Sequence, residues 1–455
     1  MIVPLKNYTV GFLFSLPITL IFFSIAIAQS SYQPLPRQNI LIENATILIG
    51  NGERIENGSI YLENGKIIAL GHNLDISSDV TIINAKGKWV TPGLIDVHSH
   101  LGSYPTPDVA SLKDTNETYT YNTAGVRMED SAITQDAGFH LALAGGVTTL
   151  QILPGSHNVF GGLGVVIKNI SARTIQEMKF PGAPYSLKMA CGENPKMSRK
   201  SKRPITRMGV AYAMREEWIK ATDYANEWLH YEKISAKGED IPSPKRNLAY
   251  ENLRGVLNGD ILVQIHCYRA EEMAVMIAIS KEFDYHITAF HHASEAYKIA
   301  DILTANEICT VLFSDWWGFK MEAYDAIPEA MAFIHDAGGC PVIHSDSTLT
   351  GQYLNQKIAA ALAAGKHAGL NINRAEAISW ATLNAAKVLG LDEQTGSLEP
   401  GKNADLVIWS GDPFSVYTKA EKVLIDGAIA FDRFDKNRQP ISDFELGQNL
   451  NREEK

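Results

Sequence analysis

The middle of the chain alternates short apolar runs with longer segments in which apolar residues recur at helical spacing. This alternation predicts βα units around a parallel sheet. Eight apolar runs are candidate strands, which is the number that a closed (β/α)₈ barrel needs. They span residues 94–100, 147–153, 164–168, 185–191, 261–267, 286–292, 308–314 and 340–345. No helical stretch precedes the third run, and a long helical insertion over 214–234 separates the fourth run from the fifth.

The two ends of the chain carry shorter β-rich runs instead. Residues 39–90 contain several, separated by three Asn-Gly pairs that are typical of hairpin turns. The same pattern returns over residues 405–431, where Asp426-Gly427 lies between two runs. We therefore expect an α/β fold with two parts. These are a (β/α)₈ TIM-like barrel over residues 91–396 and a small β-sandwich that combines residues 38–90 with 397–435.

The first 28 residues have the layout of a secretory signal peptide. Lys6 supplies a positive charge, the stretch from Val10 to Ala28 is apolar, and Ala26-Ile27-Ala28 is a small-residue cleavage site before Gln29. The alternative is an uncleaved anchor, because the apolar run is nearly long enough to span a bilayer. Pro17 and the small residues at the end of the run favour cleavage. We therefore expect a secreted or periplasmic protein, without stable membrane insertion once the leader is removed.

Composition narrows the function further. The chain has 455 residues, 45% of them hydrophobic, which is enough to bury a large core. Its net charge of −10 argues against nucleic acid as the main partner, because phosphate binding needs a basic surface. We expect a small-molecule substrate, and the composition leaves the oligomeric state open, a homo-oligomer included. The four cysteines are scattered and none forms a C-x-x-C pair, so we interpret them as buried apolar residues without disulfides: Cys191, Cys267, Cys309 and Cys340.

Histidine and aspartate side chains lie at the carboxyl ends of the predicted strands, where a barrel places its active site. His98 and His100 end the first run, and alternation along a strand points both imidazoles to one side, toward one metal. A lone histidine at such a position is commonly structural, but several strand ends with ligand-type residues favour a metal site. The later strand ends carry His266, His291, His292, Asp315, His344 and Asp346.

Several segments resemble a known family. The first-strand segment VTPGLIDVHSHLG (90–102) and the C-terminal segment GSLEPGKNADLVIW (396–409) are similar to motifs of the amidohydrolase superfamily, in its imidazolonepropionase-like branch. The likeness runs from about residue 38 to about residue 432. Other matching segments, in the same order and spacing, are KMACGENPK (188–196), IHCYRAEEM (265–273), HHASEAYKIAD (291–301), SDWWGFKMEAYDAIP (314–328) and HSDS (344–347).

The resemblance implies one or two divalent metals, with zinc expected and Mn, Fe or Co as alternatives for the same ligands. His98, His100 and Asp346 would bind the first metal of a binuclear centre. His266 and His292 would bind the second. Metal-activated water would attack a C–N bond, and Asp346 would act as general base and then general acid.

The fourth strand offers two candidates for the bridge between metals that two-metal relatives take from this strand. Strand alternation points Lys188 into the barrel with Ser186 and Ala190, and a buried lysine is costly unless it is paired or modified. A carboxylated Lys188 could bridge, and Glu193 could do so without modification. The plain alternative is an ion pair between Lys188 and an acid such as Glu193.

Substrate-binding candidates follow the fifth and seventh strands. Tyr268 and Arg269 come after His266, and Arg269 could hold a substrate carboxylate or pair with Glu271 or Glu272. Trp317 and Lys320 could line a pocket, although tryptophans are often simple packing. Residues 194–215 carry seven basic side chains and no acidic one, which predicts a positive rim at the active-site face.

These features together predict an exported metal-dependent amidohydrolase that cleaves an amide or cyclic amide, one that could carry a carboxylate. Imidazolonepropionase itself is an alternative, disfavoured by the export signal because that pathway is intracellular. A prolidase-like dipeptidase is a second alternative. A catalytically inactive binding scaffold is the alternative outside enzymes, and the filled ligand positions argue against it.

Overall fold

The computed structural model describes residues 30–76, 79–105, 109–196 and 204–439. The predicted signal peptide lies outside the described residues, as do four residues of the basic segment, Arg199, Lys200, Lys202 and Arg203. Among the described helices, none combines the length and the apolar character that crossing a bilayer requires.

The elements are numbered in chain order. The strands are β1 (Ile40–Leu48), β2 (Arg54–Glu63), β3 (Lys66–Gly71), β4 (Thr81–Asn84), β5 (Trp89–Pro92), β6 (Leu94–Ser99), β7 (Val147–Ile152), β8 (Phe160–Lys168), β9 (Ser186–Ala190), β10 (Leu262–Cys267), β11 (Ala289–His292), β12 (Cys309–Leu312), β13 (Pro341–Ile343), β14 (Leu406–Trp409), β15 (Ala420–Ile425) and β16 (Ala428–Asp432). The helices are α1 (Ala137–Ala144), α2 (Ile175–Met178), α3 (Arg207–Ser235), α4 (Leu248–Leu257), α5 (Ala270–Glu282), α6 (Ala300–Ala305), α7 (Ala330–Asp336), α8 (Leu354–His367), α9 (Arg374–Ala377) and α10 (Leu383–Val388).

The central sheet is a nearly closed barrel of eight strands, β6 to β13, hydrogen-bonded in chain order. The seam between the last strand and the first is bridged just past β13. There the backbone N–H of Asp346 donates to the carbonyl of His98 at 3.1 Å. The backbone N–H of Ser345 donates to Asp96 Oδ1 at 3.3 Å. The predicted α/β class with a barrel is confirmed, and the seam itself joins two of the predicted site residues.

One strand of the barrel runs against the expected direction. β8 pairs antiparallel with both β7 and β9, whereas the other neighbouring strands of the barrel are parallel. The physical reason is the connection from Ile152 to Phe160, which is too short for the crossover helix that a parallel neighbour requires. The prediction of eight parallel βα units is therefore wrong at the third unit.

The barrel interior and its outer wall come from alternate residues of the same strands. On β9 and β10, Leu187 and Ile265 belong to the hydrophobic core that also contains Trp218 of α3 and Met273 of α5. The residues between them, among them Lys188, face the interior. Strand alternation thus buries an apolar wall against the helices and directs the polar side chains toward one another.

The expectation that the cysteines would not form disulfides is wrong. Cys191 is bonded to Cys267, and Cys309 is bonded to Cys340. The register of neighbouring strands explains both pairs, because His266 of β10 lies opposite Ala190 of β9, and Thr310 of β12 lies opposite Pro341 of β13. Cys191 and Cys267 come one residue after the first pair, and Cys309 and Cys340 come one residue before the second, so each two cysteines are opposite each other, with Cα–Cα distances of 5.1 and 4.6 Å. Spacing along the sequence does not reveal this neighbourhood.

The two chain ends share a second sheet of eight strands. Its order is β16-β15-β14-β5-β1-β2-β3, with β4 paired to β1. The antiparallel pairing of β5 with β14 joins the N-terminal strands to the C-terminal ones. The folding of this sheet into a two-layer sandwich stays a prediction, as do the domain limits at 38–90 plus 397–435 and 91–396.

A buried ion cluster connects this second sheet to the barrel. Lys168 at the end of β8 is 2% exposed and lies 2.7 Å from Asp426 and 3.3 Å from Asp405. Asp405 precedes β14, and Asp426 lies in the turn between β15 and β16. Tyr32 donates a hydrogen bond of 2.5 Å to Asp426 from the N-terminal segment. The cluster holds three separate parts of the chain together at one point.

Candidate metal centre

Histidines on or just after four barrel strands, β6, β10, β11 and β13, converge at the carboxyl end of the barrel. The donor atoms of His98, His100 and Asp346 lie within 4.8 Å of one another, and so do those of His98, His292 and His344. His98 belongs to both groups and links them. The ring of His266 lies beside them, with its centroid 4.6 Å from that of His292. The structure thus brings all of the sequence-predicted histidines and Asp346 into one cluster.

His344 is a member of this cluster to which the sequence reasoning gave no role. It follows β13 directly and lies two residues before Asp346. Its ring is fully buried, and its centroid is 5.1 Å from those of both His98 and His292. The available signal was the alternation rule already applied to His98 and His100, which directs residues two apart at a strand end to the same side.

The ring nitrogens in this cluster test whether a metal fits. Within the described part of the chain, both ring nitrogens of His266 and of His344 are buried without a hydrogen-bond partner, and so is Nδ1 of His292. Leaving one buried polar atom unsatisfied costs about 1–3 kcal/mol, so several together need a ligand. Imidazole nitrogens with a carboxylate are a donor set that Zn, Mn, Fe or Co accepts. The residues fit a divalent metal.

Burial keeps these imidazoles neutral. It is the main cause that lowers the pKa of His98, His266, His291 and His292 well below the ordinary value. It also lowers the pKa of His344 to about 3. A neutral imidazole offers a lone pair, which is the form that binds a metal. These five imidazoles are therefore held in their ligand form across the physiological pH range.

A chain of buried hydrogen bonds orients His98. Gln264 Nε2 donates to the Val388 carbonyl at 2.9 Å, which turns the amide oxygen of Gln264 toward His291 Nε2. An amide oxygen can only accept, so His291 carries its proton on Nε2 and its Nδ1 accepts. His98 Nδ1, 2.8 Å away, must then be the donor. The Nε2 lone pair of His98 therefore points toward Asp346.

His100 is oriented in the same way by the backbone. Its Nδ1 lies 2.9 Å from the carbonyl of Leu153, which can only accept, so Nδ1 carries the proton. Nε2 of His100 lies 3.2 Å from Asp346 Oδ1, and Nε2 of His98 lies 3.6 Å from the same oxygen. Lone pairs and a carboxylate oxygen that face one another at these distances call for a shared cation.

Asp346 is half-buried, with 21% of its side chain exposed, and its ionised form is supported. Burial raises the pKa of Asp346, but the neighbouring side chains of His100, His344 and Lys188 hold that pKa below its usual value. Its backbone φ is +45°, and His292 and Ala293 have φ values of +68° and +37°. Non-glycine residues in this region are uncommon and persist where the surrounding structure enforces them, which is typical of functional sites.

The two fourth-strand candidates lie in different places. Lys188 is 1% exposed, and its Nζ lies 3.4 Å from His98 Nε2 and donates to the Pro154 carbonyl at 3.2 Å. Burial lowers the pKa of Lys188 to about 8. Glu193 lies further out, where its carboxylate is 3.4 Å from Lys320 Nζ. The structure thus brings Lys188 into the cluster and pairs Glu193 with a different lysine.

The four predicted substrate-binding residues divide between the cluster and its rim. The ring of Tyr268 is stacked on His292 at 5.2 Å, and Lys320 Nζ lies 4.1 Å from the centre of that tyrosine ring. Trp317 is 62% exposed and lines a cavity on the rim. Arg269 donates to Glu271 at 2.5 Å. The structure therefore shows the ion pair that the sequence offered as the alternative to a substrate contact.

Two of the described cations of the predicted positive rim, Arg207 and Arg215, face carboxylates. Arg207 contacts Glu272 at 2.6 Å and Glu322 at 3.3 Å. Arg215 contacts Glu282 at 2.7 Å. These pairs compensate the charge of both arginines, so a net positive rim stays a prediction that depends on the residues outside the described ranges.

Two cavities open beside the cluster. One of about 230 Å³ contains His100 and Asp346 and has a polar wall, with Thr115, Asn116, Ser156, His157, Ser347 and Thr348 among its lining residues. The other, of about 410 Å³, is lined by Asp315, Trp316, Trp317 and Phe319. The carboxylate proposed as base is therefore reachable by a small molecule.

Comparison with known proteins decides the family. Residues 89–440 match the model of the Amidohydrolase family. The chain belongs to this family. Its members generally bind divalent metal ions, which agrees with the fit of the histidine cluster. Membership in the imidazolonepropionase-like branch, predicted from the motifs, is confirmed by the relatives.

Three relatives illustrate the range. The chain is 31% identical over 396 residues to an amidohydrolase, tasK, of Hapsidospora irregularis, which covers 82% of this chain but only 40% of the length of that relative. It is 26% identical over 416 residues to an imidazolonepropionase of Thermoplasma volcanium, covering 83% of this chain and 92% of the relative. The structure of an amidohydrolase from Thermotoga maritima MSB8 matches with a TM-score of 0.79 and 32% identity, over 87% of this chain and all of that one.

The family and these relatives identify the chain as a metal-dependent hydrolase that acts on carbon–nitrogen bonds of small molecules. A zinc-bound adenosine deaminase from Xanthomonas campestris has a TM-score of 0.52 at 14% identity. At that identity the likeness shows the common fold alone.

Proposed function

We propose that the protein hydrolyses an amide or cyclic amide of a small molecule with water activated at the histidine cluster, and that Asp346 is its general base. The observation that supports this most strongly is the approach of His98 Nε2 and His100 Nε2 to the same oxygen, Asp346 Oδ1, at 3.6 and 3.2 Å. An arrangement of two lone pairs and a carboxylate is stable with a cation between them.

The ligand sets combine the two donor groups with the assignment of His266 that the sequence motifs imply. His98, His100 and Asp346 would hold one metal. His266 and His292 would hold a second, with His344 close enough to take part. Zinc is the expected ion, with Mn, Fe or Co as alternatives. When bound, such a metal lowers the pKa of its water to near neutrality and polarises the scissile carbonyl.

Asp346 transfers a proton from the attacking water to the leaving nitrogen. It accepts a proton from the attacking water while the oxygen of that water forms a bond to the carbonyl carbon. It then returns the proton to the leaving nitrogen as the C–N bond breaks, so the protein ends in its starting state. The neighbouring side chains that hold the pKa of Asp346 below its usual value keep it ionised, which supports its start as a base.

Lys188 is our candidate for the fourth-strand bridge. Its amine is buried beside His98, and a pKa near 8 leaves a useful fraction of it neutral near physiological pH. A neutral amine adds to carbon dioxide, forming an N–C bond and releasing one proton, and the product is a carboxylate at the end of the side chain. Glu193 is the alternative, and it would first have to leave Lys320.

We also propose that the protein works in an oxidising compartment outside the cytoplasm. The predicted signal peptide supports this, and so do the two disulfides that pair all four cysteines. Stable disulfides are rare in reducing compartments. The imidazolonepropionase alternative requires an intracellular enzyme, so finding the intact leader on a cytosolic protein would revive it.

A substrate screen tests the proposed function. Metal-loaded protein is incubated with N-acyl amino acids, dipeptides and cyclic amides, and the released amine is measured. Asp346→Asn is the matched control, since it keeps the size of the side chain and removes the base. Turnover confined to the unsubstituted protein supports the proposal. Preference for Xaa-Pro dipeptides would move it to a dipeptidase, and complete inactivity at full metal loading would favour a binding scaffold.

A further inference from the structure

We propose that the cavity formed by Asp315, Trp316, Trp317 and Phe319 is a substrate subsite that binds an uncharged aromatic or large apolar group attached to the scissile amide. We call these four residues the aromatic subsite. The inference rests on the proposed hydrolase function and specifies the class of substrate.

A continuous series of rings connects the aromatic subsite to the histidine cluster. Phe313 lies between them, with its ring centroid 4.3 Å from that of His344 and 5.2 Å from that of His292. On its other side Phe313 stacks on Trp316, with centroids 4.7 Å apart and an angle of 16° between the planes. Trp316 in turn contacts Phe319 edge to face at 5.7 Å. One ring, that of Phe313, therefore lies between the subsite and the candidate metal ligands.

A second route from the cluster reaches the same place. Tyr268 stacks on His292 and meets Phe319 at 6.2 Å. Phe319 is thus reached from the cluster along two walls, one from β10 and one from β12. A group bound at the subsite and an amide at the cluster would belong to one molecule of moderate length.

The exposure of the subsite residues indicates that a ligand group would gain by binding there. Trp317 is 62% exposed and Phe319 is 51% exposed. Water in contact with large apolar rings is released when another apolar group covers them, which is the main favourable term in such binding. Aromatic groups gain further from stacking on the indole and phenyl faces.

The charges around the subsite favour an uncharged group. Among the described residues that line it, Asp315 is the one with a charge, and Lys357 compensates it with contacts of 2.8 and 2.6 Å from its Nζ to the two carboxylate oxygens. Lys357 is 4% exposed and so is held in place. Lys320, next in the chain to Phe319, contacts Glu193 and Glu322 at 3.4 Å each. Within the part of the chain that the structure describes, these contacts leave neither sign of charge in excess for a charged substituent.

The cavity that contains His100 and Asp346 is lined by polar side chains. Its wall contains Asn116, Ser156, Ser347 and Thr348 beside Asp346. Hydroxyl and amide groups of this kind bind polar atoms. The histidine cluster therefore adjoins a polar cavity and, through Phe313, an aromatic one, which fits a substrate with one polar and one aromatic end.

The test compares matched substrates on three proteins. N-Phenylacetylglycine and N-acetylglycine place the aromatic group on the acyl side, and N-acetylphenylalanine amide and N-acetylglycine amide place it on the amine side. The kcat/KM ratio of aromatic to small substrate is measured for the unsubstituted protein, for Trp317→Ala and for Phe319→Ala. Tyr417→Ala is the control, because Tyr417 is an aromatic residue, 88% exposed, in the β14–β15 connection. We expect the ratio to exceed one in at least one pair and to fall on the order of tenfold in both subsite variants, with no change in the control.

A binding measurement separates this inference from the proposed function. Saturation-transfer NMR follows indole-3-acetamide and acetamide on the same proteins, with and without metal, and needs no turnover. Weaker binding of the indole compound to both subsite variants, in a protein that hydrolyses nothing, would support the subsite while the proposed function fails. Turnover with an aromatic-to-small ratio that the variants leave unchanged would overturn the subsite. So would sedimentation showing that the two variants break up an oligomer while that ratio stays the same, because the surface would then be an interface between copies.

Discussion

His98 Nδ1 lies 2.8 Å from His291 Nδ1, and this contact fixes which nitrogen of His98 is free for a metal. His291 Nδ1 can accept a hydrogen bond from His98 only because the proton of His291 is on Nε2, which donates it in a hydrogen bond to the amide oxygen of Gln264. Partners of this kind commonly change metal affinity 10–100-fold when they are removed.

His291→Phe should therefore weaken metal binding by about tenfold or more. Phe keeps the ring volume but gives His98 Nδ1 no acceptor, so the lone pair of His98 no longer points reliably at Asp346. His291→Asn can still accept from His98 and should keep more of the affinity. Isothermal titration of Zn²⁺ into metal-stripped protein measures both. Equal affinities for the two variants would show that His291 has only a packing role.

Asp346→Asn should lower turnover by about 10²–10⁴-fold while the free energy of unfolding stays close to that of the unsubstituted protein. The base is lost, but Asn tolerates the φ of +45° that this position requires. Asp346→Ala, which also lacks the base, should in addition lose about 1–2 kcal/mol in stability, because Ala has no polar side chain that could offset the strain of a positive φ by local hydrogen bonds. Thermal unfolding and turnover on the same samples check this. An active Asp346→Asn enzyme would remove Asp346 from the mechanism.

Lys188→Ala should lose turnover and regain part of it with formate or acetate, which can occupy the space of the missing side-chain carboxylate. Glu193→Gln, the matched change at the other candidate, should have a smaller effect. Mass spectrometry under native conditions, with and without added bicarbonate, detects the added carbon dioxide directly. Rescue of Glu193→Ala instead would assign the bridge to the glutamate.

Lys168→Met should destabilise the protein by about 3–5 kcal/mol at pH 7, because two buried carboxylates lose their shared cation. Burial already raises the pKa of Asp405, and removing Lys168 raises it further. A carboxyl group whose pKa is higher in the folded state than its unfolded value of about 3.9 stabilises most below that value and less as pH rises. The loss in Lys168→Met should therefore be smaller at pH 5 than at pH 7.

The matched control for this prediction is the double variant Lys168→Met with Asp405→Asn, which restores the net charge of the cluster. It should recover part of the stability and show a weaker change between pH 5 and pH 7. Urea unfolding at both pH values measures all three proteins. A loss that grows toward pH 5 would contradict the account of this cluster.

Much of the site could be predicted because its residues sit at fixed positions on regular strands. Alternation directs His98 and His100 to one side, and the barrel places all strand ends at one face. The same rule applies to His344, which lies two residues before Asp346 at the end of β13 and so points to the same side.

The parts that could not be predicted depend on neighbours distant in sequence. Cys191 and Cys267 are 76 residues apart, and only the register of β9 against β10 places them together. The direction of β8 depends on the length of the connection between β7 and β8. The apolar pattern alone did not show where β8 begins, so it did not give that length. The sequence allowed Arg269 either to hold a substrate carboxylate or to pair with Glu271 or Glu272. Only the side-chain geometry shows the pair with Glu271.

The most direct test of the central claim is a metal titration with turnover measured at every point. Protein stripped with a chelator receives Zn²⁺ in substoichiometric steps, and amide cleavage is followed for the best substrate of the screen. We predict no cleavage without metal, a rise with each addition and a plateau at one or two equivalents. Full cleavage by the stripped protein, or none after the sites are filled, would contradict the account.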